Sequence, residues 1–478
     1  MFTLKLLNDK RFVVSKIAFL LMSNFNSTYA VSHIIYCFSG DIQRIIRLIL
    51  LFCRLFTYYF FHTFADNIKF NDRFYVYFRT IFAAVLLLND IKIKKMKKLC
   101  VTFAFIIIFS PSLFSIPNFY LITIGEAKEP YAMYGHTAIR IADTALNMDF
   151  IVDWGVFNFD QPNFYINFAK GNMIYTTEAQ SFQSFLYYNH RSGKGAVMEE
   201  ILLNNEQKER FWMVLSKMLE PENRDYRYRF IYDNCATRPR DLLEIALQDE
   251  LYYPENQLFT GTYRKMLHDY QSVNLWYNLL IDIILGSRID IKPDIREQMF
   301  LPEYLRMYWK SSYVVDIDGV HPLLGDIVIL NEKTPLSKTP FLLSPEVIFI
   351  LLFLALLILD FLKKGRRFLR IFDMVFFGIL LFFSLLIMFL WGISEHQEAY
   401  DNCNLLWLTP LYIFTLIGLI KNKKPLLIAT CCYLLLFFIL DICQVFPQQF
   451  PFTAYIITFI IMERCGAACF KDRKPIRQ

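Results

Sequence analysis

The feature that most constrains this chain is its C-terminal third, where apolar segments alternate with short polar links. The segments are "VIFILLFLALLILDFL" (347–362), "MVFFGILLFFSLLIMFLW" (374–391), "LLWLTPLYIFTLIGLI" (405–420), "PLLIATCCYLLLFFIL" (425–440) and "FTAYIITFIIM" (452–462). With their flanks, the first four approach the ~20 residues that a membrane-spanning helix needs, and "ERCGAACF" extends the fifth. The links "KKGRRFLR", "KNKK" and "KDRK" are basic, whereas "SEHQEAYDNCN" and "QVFPQQFP" hold no lysine or arginine. Alternation of the two kinds fits five crossings with the basic links and the C-terminus in the cytoplasm. The polypeptide ahead of the first crossing then lies outside the inner membrane. The formal charge of +6 sits beside apolar segments, a pattern of membrane topology and not of nucleic-acid binding.

An export signal is therefore expected upstream, and "MKKLCVTFAFIIIFSPSLFS" (96–115) has the required basic start, apolar core and small-residue end. Residues 1–95 are rich in Phe, Ile, Lys, Asn and Tyr, without caps or a clear period. Two readings fit them: translated sequence upstream of a start at Met96, which we favour, or extra membrane helices in "IIRLILLFCRLFTYYFF" and "YFRTIFAAVLLL". The expected organisation is an upstream extension (1–95), a signal peptide (96–115), a periplasmic domain (116–340) and a membrane domain (341–478).

The segment 116–340 contains one cysteine, Cys235. An exported domain usually pairs its cysteines, so a lone one is either inert packing or a reactive thiol. No CxxC or HExxH spacing suggests a metal, and no cofactor is expected. Around Cys235, "YRYRFIY" alternates as a strand, and "ATRPRDLLEIALQ" is an amphipathic helix whose Pro239 is tolerated only in a first turn. The helix thus begins between Cys235 and Arg238. A thiol at a helix N-terminus is favoured as thiolate by the backbone dipole, and Arg238 and Arg240 add positive potential.

A thiolate enzyme needs a base. His321 in "DGVHPLLGD" and His268 in "YRKMLHDY" read as surface residues, and His190 as a helix-end cap. His136 opens a strand after "YAMYG", paired as an antiparallel hairpin with "DFIVDWGVFNFD". That hairpin places Asp153 within a residue or two of His136, as an orienting carboxylate or as a solvated strand residue.

The order of a strand histidine followed by "NC" opening a helix is similar to the circularly permuted papain-like fold. More closely, "YGHTAIRIAD", "DWGVFNFD", "FAKGNMIY", "YRYRFIYDNCATRPRDLLE" and "EHQEAYDNCNLLWLTPL" resemble the Lnb-type lipoprotein N-acyltransferases of Bacteroidota, with departures at Pro239 and Gln397. The resemblance implies an α+β periplasmic domain of that fold, with an antiparallel sheet and helices, followed by an all-α five-helix transmembrane bundle. It also implies a reaction. Cys235, with His136 as base and Asp153 as orienter, would take an acyl chain from a phospholipid donor and pass it to the N-terminal amine of bacterial lipoproteins. Asn234, Arg238 and Arg240 near the thiol are candidate substrate-binding residues. So are His396, Asn402, Asn404 and Trp407 in the periplasmic link, for which an interfacial belt and helix caps are the plain alternative. Cys403 in the same link could in principle bridge to Cys235. Two rival readings remain: a membrane-anchored cell-wall amidase or peptidase on the same dyad, and a non-enzymatic sensor or scaffold.

Overall fold

The architecture comes from a computed structural model, which describes residues 116–470 apart from 158, 159, 161 and 318. The expectations for 1–95 and 96–115 lie outside the described residues. The first strands are β1 (Asn118–Ile124), β2 (His136–Asp143) and β3 (Met148–Val156). After them come α1 (Phe164–Ala169), β4 (Ile174–Ser181), α2 (Phe182–Ser192), β5 (Ala196–Ile201), α3 (Asn205–Met218), β6 (Asp225–Arg227) and α4 (Thr237–Leu247). The domain continues through β7 (Leu251–Tyr252), α5 (Tyr263–Gln271), α6 (Leu275–Ile284), α7 (Ile295–Gln298), α8 (Pro302–Lys310), β8 (Tyr313–Asp316), β9 (Gly319–Pro322) and β10 (Leu324–Asn331).

A seven-stranded sheet of order β10-β5-β1-β2-β3-β4-β6 forms its centre, every neighbouring pair antiparallel. Strand alternation sends side chains to both faces, and both are covered. Phe119, Leu121, Ile139, Ile141, Val152 and Trp154 pack against α3, α4 and α8, whereas Ile122, Ala138 and Ile151 pack against Phe182 and Phe185 of α2. α3 starts at Asn204 with a capping box, the Asn204 and Gln207 side chains each accepting the other's backbone N–H. The domain is thus α+β, with an antiparallel sheet layered by helices.

Five helices follow: α9 (Pro345–Phe361), α10 (Arg366–Gly392), α11 (Tyr412–Lys421), α12 (Lys424–Ile442) and α13 (Phe452–Phe470). α10, α12 and residues Phe452–Cys469 of α13 are long and apolar enough to cross a membrane. α11 is shorter than its apolar run suggested, because 403–406 forms a 3₁₀ turn and Pro410 precedes the helix. Its 10 residues rise about 15 Å, half of a hydrocarbon core of about 30 Å. Arg464 of α13 is 1% exposed and bonds the carboxylates of Asp373 on α10 and Asp360 on α9. Pairing of this kind is what a charge between apolar helices requires.

Candidate active site

The site begins with a backbone constraint. Gly135 has φ +77°, and a Cβ there would stand 2.6 Å from the carbonyl oxygen of Ile124. Only glycine fits both conditions, and the sharp entry into β2 sets His136 at the sheet's end. His136 Nε2 donates to Asp153 Oδ1. Cys235 lies close enough to act on the same imidazole. Burial pulls the imidazole pKa down, but the Asp153 carboxylate and then Cys235 overcome it, and the pKa stands well above 6.5. The three side chains named from the sequence are therefore brought together, Asp153 bonded to His136 and Cys235 near enough to shift its pKa.

Cys235 lies two residues ahead of α4, in the turn that leads into its first turn. The strand expected through "YRYRFIY" ends instead at Arg227. Residues 229–233 close a tight loop through Arg229 N–H to Asp233 O (3.0 Å) and Asp233 N–H to Arg229 O (2.9 Å). Ile231, in the middle of this loop, turns into the core, which favours the turn over continued pairing. Asn234 then shapes the turn. Its Oδ1 accepts from Ala236 N–H (2.8 Å) and Thr237 N–H (2.9 Å), and its Nδ2 donates to the carbonyls of Phe230 (2.7 Å) and Phe300 (2.9 Å). All its polar capacity is used inside the protein, so Asn234 builds the site and does not touch a ligand.

The two arginines also differ from expectation. Arg238 makes a two-pronged pair with Asp233 (2.6 and 2.8 Å), and Arg240 is buried against Asp241 and the Arg296 carbonyl. Both charges are largely compensated, so neither raises the potential at the thiol as an isolated cation would. His268 is not a plain surface residue: its Nε2 meets the buried Asp282 at 2.8 Å. His321 sits on β9 and not in a loop, and His190 ends α2 beside Asn331.

Two tyrosines that alternation alone did not single out complete the surroundings. β3 carries an irregularity between Asp153 and Val156, where Gly155 has φ +86°. A Cβ on Gly155 would lie 3.7 Å from Tyr228 Cε2, 4.0 Å from Cys235 Cβ and 4.0 Å from Tyr226 Oη. The signal available in the sequence was that Tyr226 and Tyr228 are two apart and share a strand face. A cleft of about 530 Å³ opens beside Tyr226, lined also by Asp233, Arg238, Arg229, Met218 and Ile245 among others.

The membrane-domain link docks on this domain. Asn402 Nδ2 donates to the carbonyls of Ile283 and Ile284, and Asn404 Nδ2 to those of Asp282 and Ile283. These are the last carbonyls of α6, which a helix cannot satisfy itself. Trp407 Nε1 donates to Asn404 Oδ1 at 2.8 Å. Asn402, Asn404 and Trp407 are all buried, so they fasten the link and offer nothing to a lipid headgroup. His396 Nε2 donates to the Phe168 carbonyl, Glu395 N–H to that of Lys170, and the Glu395 carboxylate pairs with Arg227. Glu398, itself buried, accepts from Ile231 N–H in the loop before Cys235. Cys403 and Cys235 are both free thiols, with no bridge between them.

Residues 116–269 match the family model of the Lnb N-terminal periplasmic domain, and residues 337–474 that of the Lnb transmembrane domain. No curated protein and no solved structure matches the chain.

Proposed function

The chain belongs to the Lnb family, a membrane protein with a periplasmic N-terminal domain, and from that premise we propose that it is a thiol-dependent lipoprotein N-acyltransferase of the inner membrane. The observation that carries the reading is the grouping of Cys235 and Asp153 around the His136 imidazole, Asp153 hydrogen-bonded to it and Cys235 close enough to shift its pKa. His136, oriented by Asp153 through Nε2, takes the thiol proton at its other ring nitrogen. The thiolate attacks the ester carbonyl of a membrane lipid, and the lipid alcohol leaves with the proton from His136. The free α-amine of a lipoprotein's N-terminal modified cysteine then attacks the S-acyl enzyme. This amine, with a pKa near ~8, is partly neutral without help. The acyl chain ends as an amide and the thiol is restored.

A lipid substrate is supported by the surface beside the site. Tyr165, Ile166 and Phe168 of α1 are more than half exposed, and the carbonyls of Phe168 and Lys170 are tied to the periplasmic link of the membrane domain. Aromatic contacts run from there to the thiol: Phe164 against Phe157, Phe157 against Tyr175, and Tyr175 against Tyr228, which neighbours Cys235. The test is mass spectrometry of lipoprotein N-termini from cells carrying the protein, lacking it, or carrying Cys235→Ser. An added amide-linked acyl chain should depend on both the protein and the thiol. An unchanged acyl number would overturn the reading.

One observation favours a second reading. The cleft that Tyr226 lines also holds the charged side chains Arg227, Arg229, Asp233, Arg238 and Asp241, which suits a polar cell-wall peptide handled by the same dyad. Release of muropeptide fragments by the purified protein, with lipoproteins unaltered, would decide for this hydrolase.

A further inference from the structure

Tyr226 carries a hydroxyl that the fold does not use. The residue is 7% exposed on β6, opposite Tyr175, with the Arg238 guanidinium carbon 3.6 Å from its ring centroid. Its Oη is buried and makes no hydrogen bond. An orphaned hydroxyl of this kind costs about 1–3 kcal/mol, and a phenylalanine would avoid that cost. Native folds seldom leave such a group without a reason. Here the group shares the thiol's neighbourhood: Tyr226 Oη and Cys235 Cβ are each 4.0 Å from the same point above Gly155, and the charge of Cys235 acts on the Tyr226 phenol. Glycine at 155 keeps the space between them open. A second donor lies on the same residue as the thiol. Asn234 Oδ1 takes the N–H groups of Ala236 and Thr237, while the Cys235 N–H donates no hydrogen bond among the described residues.

We propose that the Tyr226 hydroxyl and the Cys235 backbone N–H form the oxyanion hole for acyl transfer through Cys235, with Tyr226 as a catalytic residue. This rests on the thiol-acyl-transfer reading above, and not on the identity of the acyl acceptor. As Sγ bonds to the ester carbonyl carbon, the π electrons of the C=O bond move onto oxygen, and both donors meet the new charge. When the C=O bond re-forms, the C–O bond to the alcohol breaks. That oxygen takes the proton held by His136, leaving the thioester. Burial, and then the charge of Cys235, push the Tyr226 phenol far above its ordinary pKa. It therefore remains a donor at any working pH.

Tyr226→Phe removes the hydroxyl and keeps the ring under Arg238. The full chain in detergent is treated with p-nitrophenyl octanoate, and the burst of nitrophenolate reports S-acylation of Cys235. Iodoacetamide alkylation of the same thiol, which develops no oxyanion, is measured in parallel. The expected result is acylation slowed about 10²–10³-fold, the usual effect of losing one oxyanion donor, with alkylation and melting temperature preserved. Acylation within about threefold of the parent would overturn the proposal, because an oxyanion donor is felt mainly in the transition state. An equal fall in acylation and alkylation would also overturn it, by assigning Tyr226 to thiolate positioning. If the parent protein forms no S-octanoyl Cys235, the thiol-acyl-transfer reading itself fails and takes this proposal with it. A parent that is acylated through Tyr226 but leaves lipoproteins unaltered would sink only the assignment of the acceptor.

Discussion

Asp153 accepts the Nε2 hydrogen of His136, yet the residue across the hairpin from Asp153 is Ala138. The two members of the pair are diagonal neighbours on adjacent strands, on one sheet face, a separation that polar side chains bridge readily. The diagonal contact spends Nε2 on the carboxylate, so in the proposed mechanism Nδ1 is the nitrogen that would receive the thiol proton, with Asp153 in the role of a positioning residue.

Removing the nucleophile or the base should abolish the same activity. Cys235→Ser and His136→Ala are each expected to lower S-acylation by at least about 10³-fold, and the double variant should be little worse than either, as for groups that act as a unit. Cys235→Ser should accumulate in membranes at near-normal levels, because a half-buried hydroxyl in place of the thiol costs about 1–3 kcal/mol at most. Hydroxylamine-labile acyl groups should be found on the parent protein and be absent from this variant. Acyl transfer by Cys235→Ser would end the case for thiol catalysis.

Asp153→Asn should change the pH behaviour more than the fold. Burial opposes the charged imidazole, and Asp153 is the larger of the charges that raise the His136 pKa. Without it the pKa falls, and the alkaline limb of the acylation profile should move to lower pH. Stability should follow the same linkage. A folded pKa above the unfolded ~6.5 stabilises fully below that value and is lost as pH rises through the folded one. The melting-temperature gap between parent and Asp153→Asn should therefore be widest near the ordinary histidine range and shrink in alkaline buffer. A gap that grew with pH would contradict the assignment.

Gly135→Ala tests the entry into β2. The new Cβ meets the Ile124 carbonyl at 2.6 Å with φ at +77°, a conformation that costs a non-glycine residue about 1–3 kcal/mol. His136 must shift with its neighbour. The expected outcome is a lower melting temperature together with slower Cys235 alkylation, read against Gly378→Ala, where a Cβ meets nothing within 4 Å.

Asn404→Ala probes the clamp between the two domains. It deprives the α6 carbonyls of a donor and leaves the buried Trp407 Nε1 without its acceptor. The loss should be about 1–3 kcal/mol per unsatisfied group, seen as earlier thermal unfolding and as proteolysis within 393–411. Gly286→Ala should act in the same direction, since its Cβ would overlap the Tyr400 carbonyl of the link. Unchanged protease resistance in both would show that the link is not held by these contacts.

Much of this protein was readable along the chain. The apolar segments and their basic or charge-free links announced a membrane domain, because twenty residues of hydrocarbon-compatible side chain have few other homes in water. Period-two patterning located the 136–156 hairpin, and Pro239 marked the first turn of the helix after Cys235, both local consequences of backbone sterics. What tertiary structure decided was how each polar group is used. Asn234, Asn402 and Asn404 resemble exposed binding residues in sequence, but all three are consumed by backbone groups that folding brings to them from elsewhere in the chain. Arg238 and Arg240 look like bare charges until Asp233 and Asp241 are placed beside them. Tyr226 looks like one more strand residue until Gly155, 71 positions away, opens a space next to its hydroxyl. Periodicity records which face a side chain takes, whereas the backbone partners of Asn234, Asn402 and Asn404 arrive across long sequence separations, and even the neighbouring Asp233 and Asp241 pair with the arginines only in the conformation that the fold sets.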